Sequence, residues 1–367
     1  MNRLVAFVLA VTALVACTAA TNPAPSTPSA SPRVARVVQP LTPTAAPIGV
    51  VMTAAPTYLA GSQHAAFPSL SAMPDGRMRL EWRQGSDHVA ARDGRILATT
   101  LDSWGQNPGP VETVLSQPGV DFRDPSVSYL EVGGTVREYR TYFTGTPEAA
   151  AQGAMVTVDG GPPVRIDPNL PRAAISAPVV KLPDGKIATA FYGRKVGESV
   201  DTAFMAWSSD GGQSWTTNRI INIGIPTPEP WLVVDGPMVH MFSRWGDWDS
   251  IAVRSSPDSG VTWGPVRRVT TNGTGRPTTI ATSGVLIMVC RLLPSKSAQV
   301  IYSLDHSATW AAGPTVLTAP PGSPLGMTYG AMAVVPGPVP LVRLVVGMEQ
   351  ADGSSALYAT YLAVSVQ

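Results

Sequence analysis

The stretch Ser208-Ser209-Asp210-Gly211-Gly212-Gln213-Ser214-Trp215 decides the fold of this chain. Its pattern, S-x-D-x-G-x-x-W, recurs from Ser256 to Trp263. A weaker copy runs from Ser303 to Trp310, with Ser307 in place of the glycine. The first serines of the three copies are 48 and then 47 residues apart. A fixed period of this size is typical of stacked or radially arranged repeat units.

The residue types of this pattern favour a tight polar turn. Aspartate and serine side chains can bond nearby backbone N–H groups and hold a turn. Glycine adopts backbone angles that other residues resist, and tryptophan packs its large apolar face beneath the turn. We therefore expect each copy to join two strands of a small sheet. This role is structural and carries no chemistry.

Composition bounds the class of protein. The 367 residues suffice for one large propeller or two ordinary domains. Charged residues make up 14% and the net charge is +1, which argues against a basic surface for nucleic acid. The 34 glycines and 36 prolines, without a long helical period, favour many short strands joined by turns. Two cysteines give no disulfide framework.

The first 17 residues are typical of a bacterial secretion signal. Asn2 and Arg3 precede an apolar run, Leu4 to Val15, that is short for a transmembrane span. The run ends in Leu-Val-Ala-Cys, which resembles a lipobox and predicts that Cys17 becomes the lipidated first residue. An ordinary secretion signal with an incidental cysteine is the alternative. Cys290 lies in an apolar run and is expected to be a buried, inert thiol.

Residues 18–48 are rich in Ala, Thr, Pro and Ser and predict an extended tether. With a lipid on Cys17, the tether would hold a folded domain at the outer side of a bacterial cell membrane. Residues 49–367 would form that domain. The lipid is the predicted link to the membrane.

From about residue 50, aligning the chain on its repeat gives six units. Each opens with a short strand that often carries a proline, as in Asp124-Pro125-Ser126-Val127. Six units of three or four strands predict an all-β fold, a six-bladed β-propeller. The last unit lacks an outer strand, which Gly49 to Ala60 could supply. Thr100 to Trp104 is a candidate for a shortened copy of the repeated turn.

In a propeller the innermost strands face a central channel, so residues at one end of them converge. The first-strand positions are Ala66, Arg123, Asp124, Ser176, Glu229, Arg276 and Tyr329. The second-strand ends carry Arg83, Arg194, Arg244, Arg291 and Glu349, with Asp87 and His88 in the loop after the first. Arginines suit a carboxylate or another anion. A tyrosine beside a glutamate can act as a nucleophile, because the carboxylate helps to draw off the phenolic proton.

The repeated turn resembles the Asp-box of the sialidase superfamily, and roughly residues 62–365 are similar to bacterial sialidases. The resemblance implies an exo-glycosidase that releases a sialic acid or a related anionic sugar. It implies Tyr329 as nucleophile, Glu229 as its partner and Asp87 as acid and base. Its further assignments are Arg83 beside Asp87, Asp124 as a second channel aspartate, Arg244 as a carboxylate-binding arginine, and Glu349 as support for another such arginine.

Two positions depart from the sialidase pattern. Ala66 stands where the first carboxylate-binding arginine is expected, and the segment for the third offers only Lys296. The repeat suggests that Arg123, Arg276 or Arg291 substitutes from a neighbouring unit.

Structural interpretations of the same residues stay open. The regular spacing of Arg194, Arg244 and Arg291 before the turns is also expected of ion pairs between units. Asp124 could cap a turn, Tyr329 could simply line the channel, and Asp87 could sit at a solvated loop tip.

The sequence therefore predicts a monomeric, sialidase-like hydrolase whose partner is a glycan. It shows no metal-ligand cluster and no phosphate loop, so no metal or cofactor is expected. A non-catalytic propeller that binds cell-wall glycan or a protein is the alternative from another class. A hydrolase or lyase of the same fold with a different sugar is the third.

Overall fold

The computed structural model describes residues 49–365, except residues 90, 147, 150, 168–169, 247–249, 270–271 and 339. The predicted secretion signal with Cys17 and the predicted tether of residues 18–48 lie outside the described residues. Each regular element in the described part is a β-strand, so the all-β prediction is confirmed. No helix there is long and apolar enough to cross a membrane.

Hydrogen bonding groups the described strands into five sheets. The largest has nine strands: β1 (Gly49–Met52), β2 (Thr57–Ala60), β3 (His64–Ala72), β4 (Met78–Gly85), β5 (Arg95–Leu101), β6 (Glu112–Leu115), β24 (Met327–Val335), β25 (Leu341–Glu349) and β26 (Ser355–Ser365).

Four smaller sheets hold the remaining strands. The first is β7 (Asp121–Val132), β8 (Thr135–Gly145), β9 (Ala154–Val158) and β10 (Val164–Arg165). The second is β11 (Arg172–Ile175), β12 (Val180–Lys181), β13 (Ile187–Arg194), β14 (Thr202–Ser208) and β15 (Thr216–Ile221). The third is β16 (Trp231–Asp235), β17 (Met238–Arg244), β18 (Ile251–Ser256) and β19 (Arg267–Arg268). The fourth is β20 (Gly273–Thr282), β21 (Val285–Leu292), β22 (Ser297–Ser303) and β23 (Ala311–Leu317).

The sheets form a β-propeller arrangement, but their number differs from the six blades expected. Among the described residues, four sheets have the size of a single blade and the fifth has nine strands. The physical reason is one parallel bridge between Ser355 and His64, which joins β26 to β3. That bridge merges two antiparallel runs of strands into one hydrogen-bonded sheet.

The innermost strands form a ring. They contact one another in the order β3, β7, β12, β16, β20 and β24, and β24 returns to β3. Apolar side chains form buried clusters between neighbouring layers of strands. Leu80 and Val345 belong to one cluster, within the nine-stranded sheet, and Met205 and Met241 belong to another, which includes side chains of β14 and β17. The core is therefore divided among the gaps between neighbouring layers. Cys290 is buried in one of them, as predicted, and burial raises the pKa of its thiol to about 12.

The ring closes through both ends of the described chain. β1 pairs with β26 from Gly49–Ser365 to Met52–Leu362, and β2 pairs with the earlier part of β26. The prediction that residues 49–60 supply the missing outer strand is confirmed.

The aspartate turns are defined as Ser208–Trp215, Ser256–Trp263 and Ser303–Trp310. Each turn has the same core pattern of local hydrogen bonds. In the first, Asp210 accepts bonds from the N–H groups of Gln213 and Ser214 at 3.0 Å each. The Ser208 hydroxyl donates to Asp210 at 2.6 Å and accepts from the Gly212 N–H at 2.8 Å. The turns therefore hold themselves by local bonds, as their residue types predict.

The weaker third copy keeps this geometry. Ser307 has a φ of 68°, in the left-handed region that Gly212 and Gly260 occupy in the other copies. Asp305 still accepts the N–H and hydroxyl of Thr309 at 2.8 and 2.5 Å. The tryptophan bond is lost, since the Trp310 indole nitrogen is buried without a hydrogen-bond partner.

Arg276 closes the centre of the ring. Its guanidinium donates to the carbonyls of Pro68 and Gly330 at 2.7 Å each, and to that of Ser176 at 3.4 Å. The residue is 1% exposed. One side chain therefore ties β20 to three other inner segments. The carbonyls of Pro68 and Gly330 lie at the register shifts of β3 and β24, and a buried carbonyl needs a hydrogen-bond donor.

Replacing Asp210 by alanine is expected to lower the thermal unfolding midpoint by roughly 2 °C or more, because four bonds of the turn are lost. These bonds hold the pKa of Asp210 below its usual value. The stabilisation is therefore complete above the ordinary aspartate pKa and is lost only as the pH falls below it. Differential scanning calorimetry at pH 7 and pH 5 should give the same deficit. Glu131→Ala, at an exposed strand residue, is the control, and an equal effect of the two substitutions would contradict the network's role.

Arg276→Met is expected to cost at least about 3 kcal/mol in the free energy of unfolding, since each orphaned buried carbonyl costs about 1–3 kcal/mol. Urea denaturation measures it. Arg77→Met, which removes an arginine from an exposed pair with Asp75, is the matched control and should change stability little. If both variants unfold at the same urea concentration, Arg276 does not hold the ring together.

Candidate active site

A backbone bulge at one end of the inner strands sets the direction of the channel side chains. The ladders of β3, β7 and β24 each shift register there. Proline follows the bulged residue in three of the segments, and it has no N–H to give to a ladder. The bulged residues have positive φ, at a cost of about 1–3 kcal/mol each for a non-glycine residue. They are Phe67 (56°), Asp124 (49°) and Tyr329 (74°). Glu229, two residues before β16, has the same kind of positive φ (57°).

Tyr329 and Glu229 meet across the channel. The tyrosine hydroxyl donates to one oxygen of the Glu229 carboxylate. Arg244, at the end of β17, donates to the other oxygen at 2.8 Å. Tyr329 is 6% exposed and Glu229 is 8% exposed, so the contact between them is shielded from solvent. The structure thus brings together the three residues predicted as nucleophile, partner and anion ligand.

The electrostatics of this group keep the phenol protonated at rest. Burial raises the pKa of Tyr329 well above its usual value, and the Glu229 charge raises it further, while Arg244 and Arg291 oppose them. Any reaction of this oxygen as a nucleophile would therefore require loss of the phenolic proton. Glu229 is the group already bonded to it.

Arg291 and Arg123 also lie at the channel. The Arg291 guanidinium stands 5.9 Å from the Tyr329 ring centroid and donates to the Met327 carbonyl at 2.8 Å. Arg123 is sandwiched between the rings of Phe67 and Phe143, at 5.2 and 5.0 Å from their centroids. Such stacking fixes the plane of a guanidinium and leaves its N–H edge open to an anion.

Asp124 is buried beside Arg123, at 4.0 Å. One of its oxygens accepts the Ser176 hydroxyl at 2.9 Å, and the other is buried without a hydrogen-bond partner. Burial raises the pKa of this carboxyl, against the effect of Arg123 and Arg276. An acid held closer to its neutral form can donate as well as accept a bond.

Close packing beneath the tyrosine depends on one glycine. Gly275 has a φ of +83°, and a Cβ atom there would lie 3.2 Å from Cε1 of Tyr329. A larger residue would push the phenol away from Glu229.

Three residues predicted to bind substrate instead make hydrogen bonds or ion pairs with other parts of the protein. Arg83 is fully buried, with Nε 2.7 Å from Asp121. The guanidinium of Arg276 is taken up by backbone carbonyls below Tyr329. Glu349 accepts from the Leu325 N–H at 2.6 Å and lies 3.3 Å from His64, so a histidine replaces the arginine it was expected to support. Each has protein partners in place of the expected substrate contact.

Among the described residues, Asp87 makes no hydrogen bond to Tyr329 or Glu229, and its role as the acid stays a prediction. It lies exposed on the loop after β4, and its carboxylate accepts the His88 N–H at 2.6 Å. Its carbonyl accepts a bond from Arg83 at 2.6 Å. Arg194, which the repeat also placed near the channel, lies 3.8 Å from Asp201, which directly precedes β14 of the same sheet. This ion pair therefore lies within one unit and does not join two units.

Sequence reasoning missed Phe67, His64 and Tyr192. Phe67 occupies the channel beside Tyr329, at 5.3 Å between ring centroids, where Ala66 had drawn attention. Tyr192, on β13, lies near Glu229 and Asp124, whose charges add to burial in raising the pKa of its hydroxyl. Strand alternation could have found His64 and Tyr192, since they stand two residues before Ala66 and Arg194.

In the described part of the chain, no three His, Cys, Asp or Glu residues are grouped so as to hold a metal ion.

No family model and no curated protein matches the chain. Solved structures do. A Dyadobacter fermentans protein of unknown function matches with a TM-score of 0.70 and 16% identity, over 86% of this chain and 100% of that one. The sialidase of Trypanosoma rangeli matches with a TM-score of 0.64 and 12% identity, over 81% of this chain and 55% of the enzyme.

An α-L-arabinofuranosidase of Fusarium graminearum matches with a TM-score of 0.58 and 10% identity, over 84% of this chain and 97% of that one. The chain thus spans about half the length of the trypanosomal enzyme and nearly all of the fungal one. At these identities the likeness concerns the fold alone. The fold is the sialidase-like β-propeller, which glycoside hydrolases of more than one specificity share.

Proposed function

We propose that this chain is a glycoside hydrolase that removes a sialic acid or a related anionic sugar from the end of a glycan, with Tyr329 as nucleophile. The observation that carries the proposal is the hydrogen bond from the Tyr329 hydroxyl to Glu229 inside the channel. A buried phenol bonded to a buried carboxylate, beside arginines, is the arrangement that such a nucleophile needs.

In the first step, the Tyr329 oxygen bonds to the anomeric carbon while Glu229 takes its proton. The glycosidic C–O bond breaks, and Asp87 gives a proton to the leaving oxygen. In the second step, water attacks the anomeric carbon and gives its proton to Asp87. The C–O bond to Tyr329 then breaks, and Glu229 returns the proton to the phenolate. A neutral nucleophile avoids the repulsion that a carboxylate would meet beside an anionic sugar.

Arg244, Arg123 and Arg291 are the proposed ligands for the sugar's negative group. They reach the channel from three different sheets, and each has a buried or stacked side chain that fixes its direction. Arg123 and Arg291 fill the gap left by Ala66 and by the missing third arginine. Arg276 supports Tyr329 from below.

The finer architecture and the cellular setting belong to the same proposal. We infer that the nine-stranded sheet comprises two blades, which makes six blades in all. The inner ring supports this, since β3 and β24 are both members of it. A lipid on Cys17 would anchor the monomer outside the cytoplasm, where glycans are available.

The fungal neighbour favours one variation, a hydrolase of the same fold that acts on a different sugar. A panel of fluorogenic glycosides, with sialosides, uronides and arabinofuranosides, would identify the sugar. The full chain, purified from membranes, is the enzyme to use.

Tyr329→Phe and Glu229→Gln test the mechanism. With the best glycoside of the panel, each is expected to lower kcat by at least about 10²-fold, the contribution typical of a positioned acid or base. Tyr58→Phe, at a tyrosine that is 63% exposed, is the control and should keep the wild-type rate. Full activity of Tyr329→Phe would exclude this nucleophile.

Asp87→Asn tests the acid. The variant is expected to lose about 10²- to 10⁴-fold in rate with a natural glycan, whose alkoxide needs a proton. It should lose far less with a 4-nitrophenyl glycoside, because that leaving group needs no acid. Asp75→Asn, on a distant exposed turn, is the matched control. Equal losses on both substrates, or none, would mean that another group donates the proton.

A further inference from the structure

A second cavity lies farther along the inner strands than the proposed active site. Each inner segment carries a channel residue near its start, as Tyr329 stands near the start of β24. Residues that come two or more positions later in the six inner segments line the cavity: Ser69, Ser128, Val179, Trp231, Thr279 and Met332. This rear cavity therefore lies at the opposite end of the inner strands from the proposed active site.

Arg276 separates the rear cavity from the active site. It donates to the carbonyls of three residues that stand in the chain between the channel residues and the cavity residues: Pro68, Ser176 and Gly330. Its guanidinium is 5.3 Å from the centroid of the Tyr329 ring and 5.3 Å from that of the Trp231 ring. Tyr329 belongs to the proposed active site and Trp231 lines the rear cavity, so the partition is about one side chain thick.

The rear cavity has the size of a small-molecule site and uncharged walls. Its volume is about 320 Å³, at the lower end of the ~300–1,000 Å³ of typical ligand sites. None of the described residues that line it has a charged side chain, and Arg276 is not among them. Val334 lines the cavity and is 39% exposed, so the cavity reaches the surface. A charged ligand would leave water for these walls without gaining an ionic partner, which is strongly unfavourable.

Hydroxyl groups are the polar side-chain groups of these walls. The Ser69 hydroxyl accepts the Val127 N–H at 2.9 Å. The Ser126 hydroxyl donates to the Ser176 carbonyl at 3.1 Å. Ser128 differs from them, since it is 8% exposed and its hydroxyl is buried without a hydrogen-bond partner. Buried hydroxyls normally have a partner, and a ligand hydroxyl at this wall would supply one.

Most of the remaining wall is apolar. Its aliphatic side chains include Leu70, Val179, Leu232, Ile280 and Met332. The indole N–H of Trp231 is already used, because it donates to the Thr279 carbonyl at 2.7 Å. A sugar ring would bury several hydroxyls against these walls without partners. The walls instead suit an apolar body with a single polar group.

We propose that the rear cavity binds a small, uncharged amphipathic molecule, an aliphatic chain that ends in a hydroxyl group, with Ser128 as its hydrogen-bond partner. The chain packs against the aliphatic wall, and removal of its carbons from water drives binding. The site is distinct from the proposed hydrolytic site, because Arg276 stands between the two.

The probe for a direct test is n-hexanol, and the reporter is the methyl group of Met332. NMR of the full chain with isotope-labelled methionine follows the methyl groups of its 12 methionines. Met332→Leu and Met241→Leu identify two of the signals. Met241 is buried in the cluster of β14 and β17 and serves as the internal reference. We expect n-hexanol to shift the Met332 signal in a saturable way and to leave the Met241 signal in place.

Three further probes test the chemistry of the walls. Sodium hexanoate and hexylammonium chloride carry the same chain with a charge, and glucose carries hydroxyls without the chain. Each charged probe is expected to bind at least about tenfold more weakly than n-hexanol, because the walls offer no ionic partner. Glucose should leave Met332 unmoved. If hexanoate binds more tightly than n-hexanol, if glucose alone binds, or if no probe shifts Met332, the proposal is wrong.

Ser128→Ala tests the hydrogen bond. The variant is expected to weaken the binding of n-hexanol by about 2- to 10-fold, the range for one neutral hydrogen bond. Ser209→Ala, at an exposed serine of the first aspartate turn, is the matched control and should bind like the wild type. Equal affinity of Ser128→Ala and the wild type would overturn the role of Ser128.

Two more variants locate the probe. Ala281→Leu narrows the cavity at a half-buried wall residue and should abolish the Met332 response. Tyr329→Phe should bind n-hexanol as the wild type does, because the change lies on the other side of Arg276. If Tyr329→Phe loses the probe, n-hexanol occupies the active channel and the rear site is disproved. The measurement needs no glycoside, so a failure of the proposed hydrolysis leaves its result unchanged.

Discussion

The bulge at the end of the inner strands is the constraint on which the channel depends. In a regular strand, successive side chains point to opposite faces, and neither face of a propeller's inner strand points along the axis. An extra residue in the left-handed region breaks this alternation. It turns side chains of different sheets toward one another, so that Tyr329 and Glu229 meet although they are 100 residues apart. The strain of each bulge is maintained by its surroundings, above all by Arg276, which binds the carbonyls of Pro68 and Gly330.

The charges of the site are arranged around this meeting point in layers. The Arg276 guanidinium lies 5.3 Å from the centroid of the Tyr329 ring and donates to backbone carbonyls. Its positive charge acts on the site, but the N–H groups that make these bonds are not available to a ligand. Arg244 and Arg291 stand beside the phenol, and Arg123 is stacked on Phe67. Glu229 and Asp124 are the acidic groups among them, and Asp124 is pushed toward its neutral form. Such a site has more positive than negative charge to offer, which favours an anionic occupant.

The repeat in the sequence was sufficient for the fold class and for part of the site. The spacing of the aspartate turns gave the register of the inner strands, and this register placed Tyr329, Glu229 and Arg244 together. It could not place Arg83 or Arg276, because their partners are a carboxylate in another sheet and backbone carbonyls. A repeat identifies the end of a strand at which a residue lies, but not the direction of a long side chain.

The other errors have equally local causes. The sequence analysis treated Ala66 as the channel position where an arginine was expected. The residue that the bulge turns into the channel is its neighbour, Phe67. The number of sheets differs from the number of repeats through one backbone bridge, Ser355 to His64, which no side-chain pattern could have shown.

The pairing of Gly49 with Ser365 has a consequence for how this protein is made. β1 and β2 are synthesised some 300 residues before their partner, β26. The ring cannot close before β26 has been made, and β1 and β2 have no strand partner until then. A chain that stops before β26 would leave β25, β1 and β2 without a shared neighbour, so the nine-stranded sheet forms only after β26 has been made.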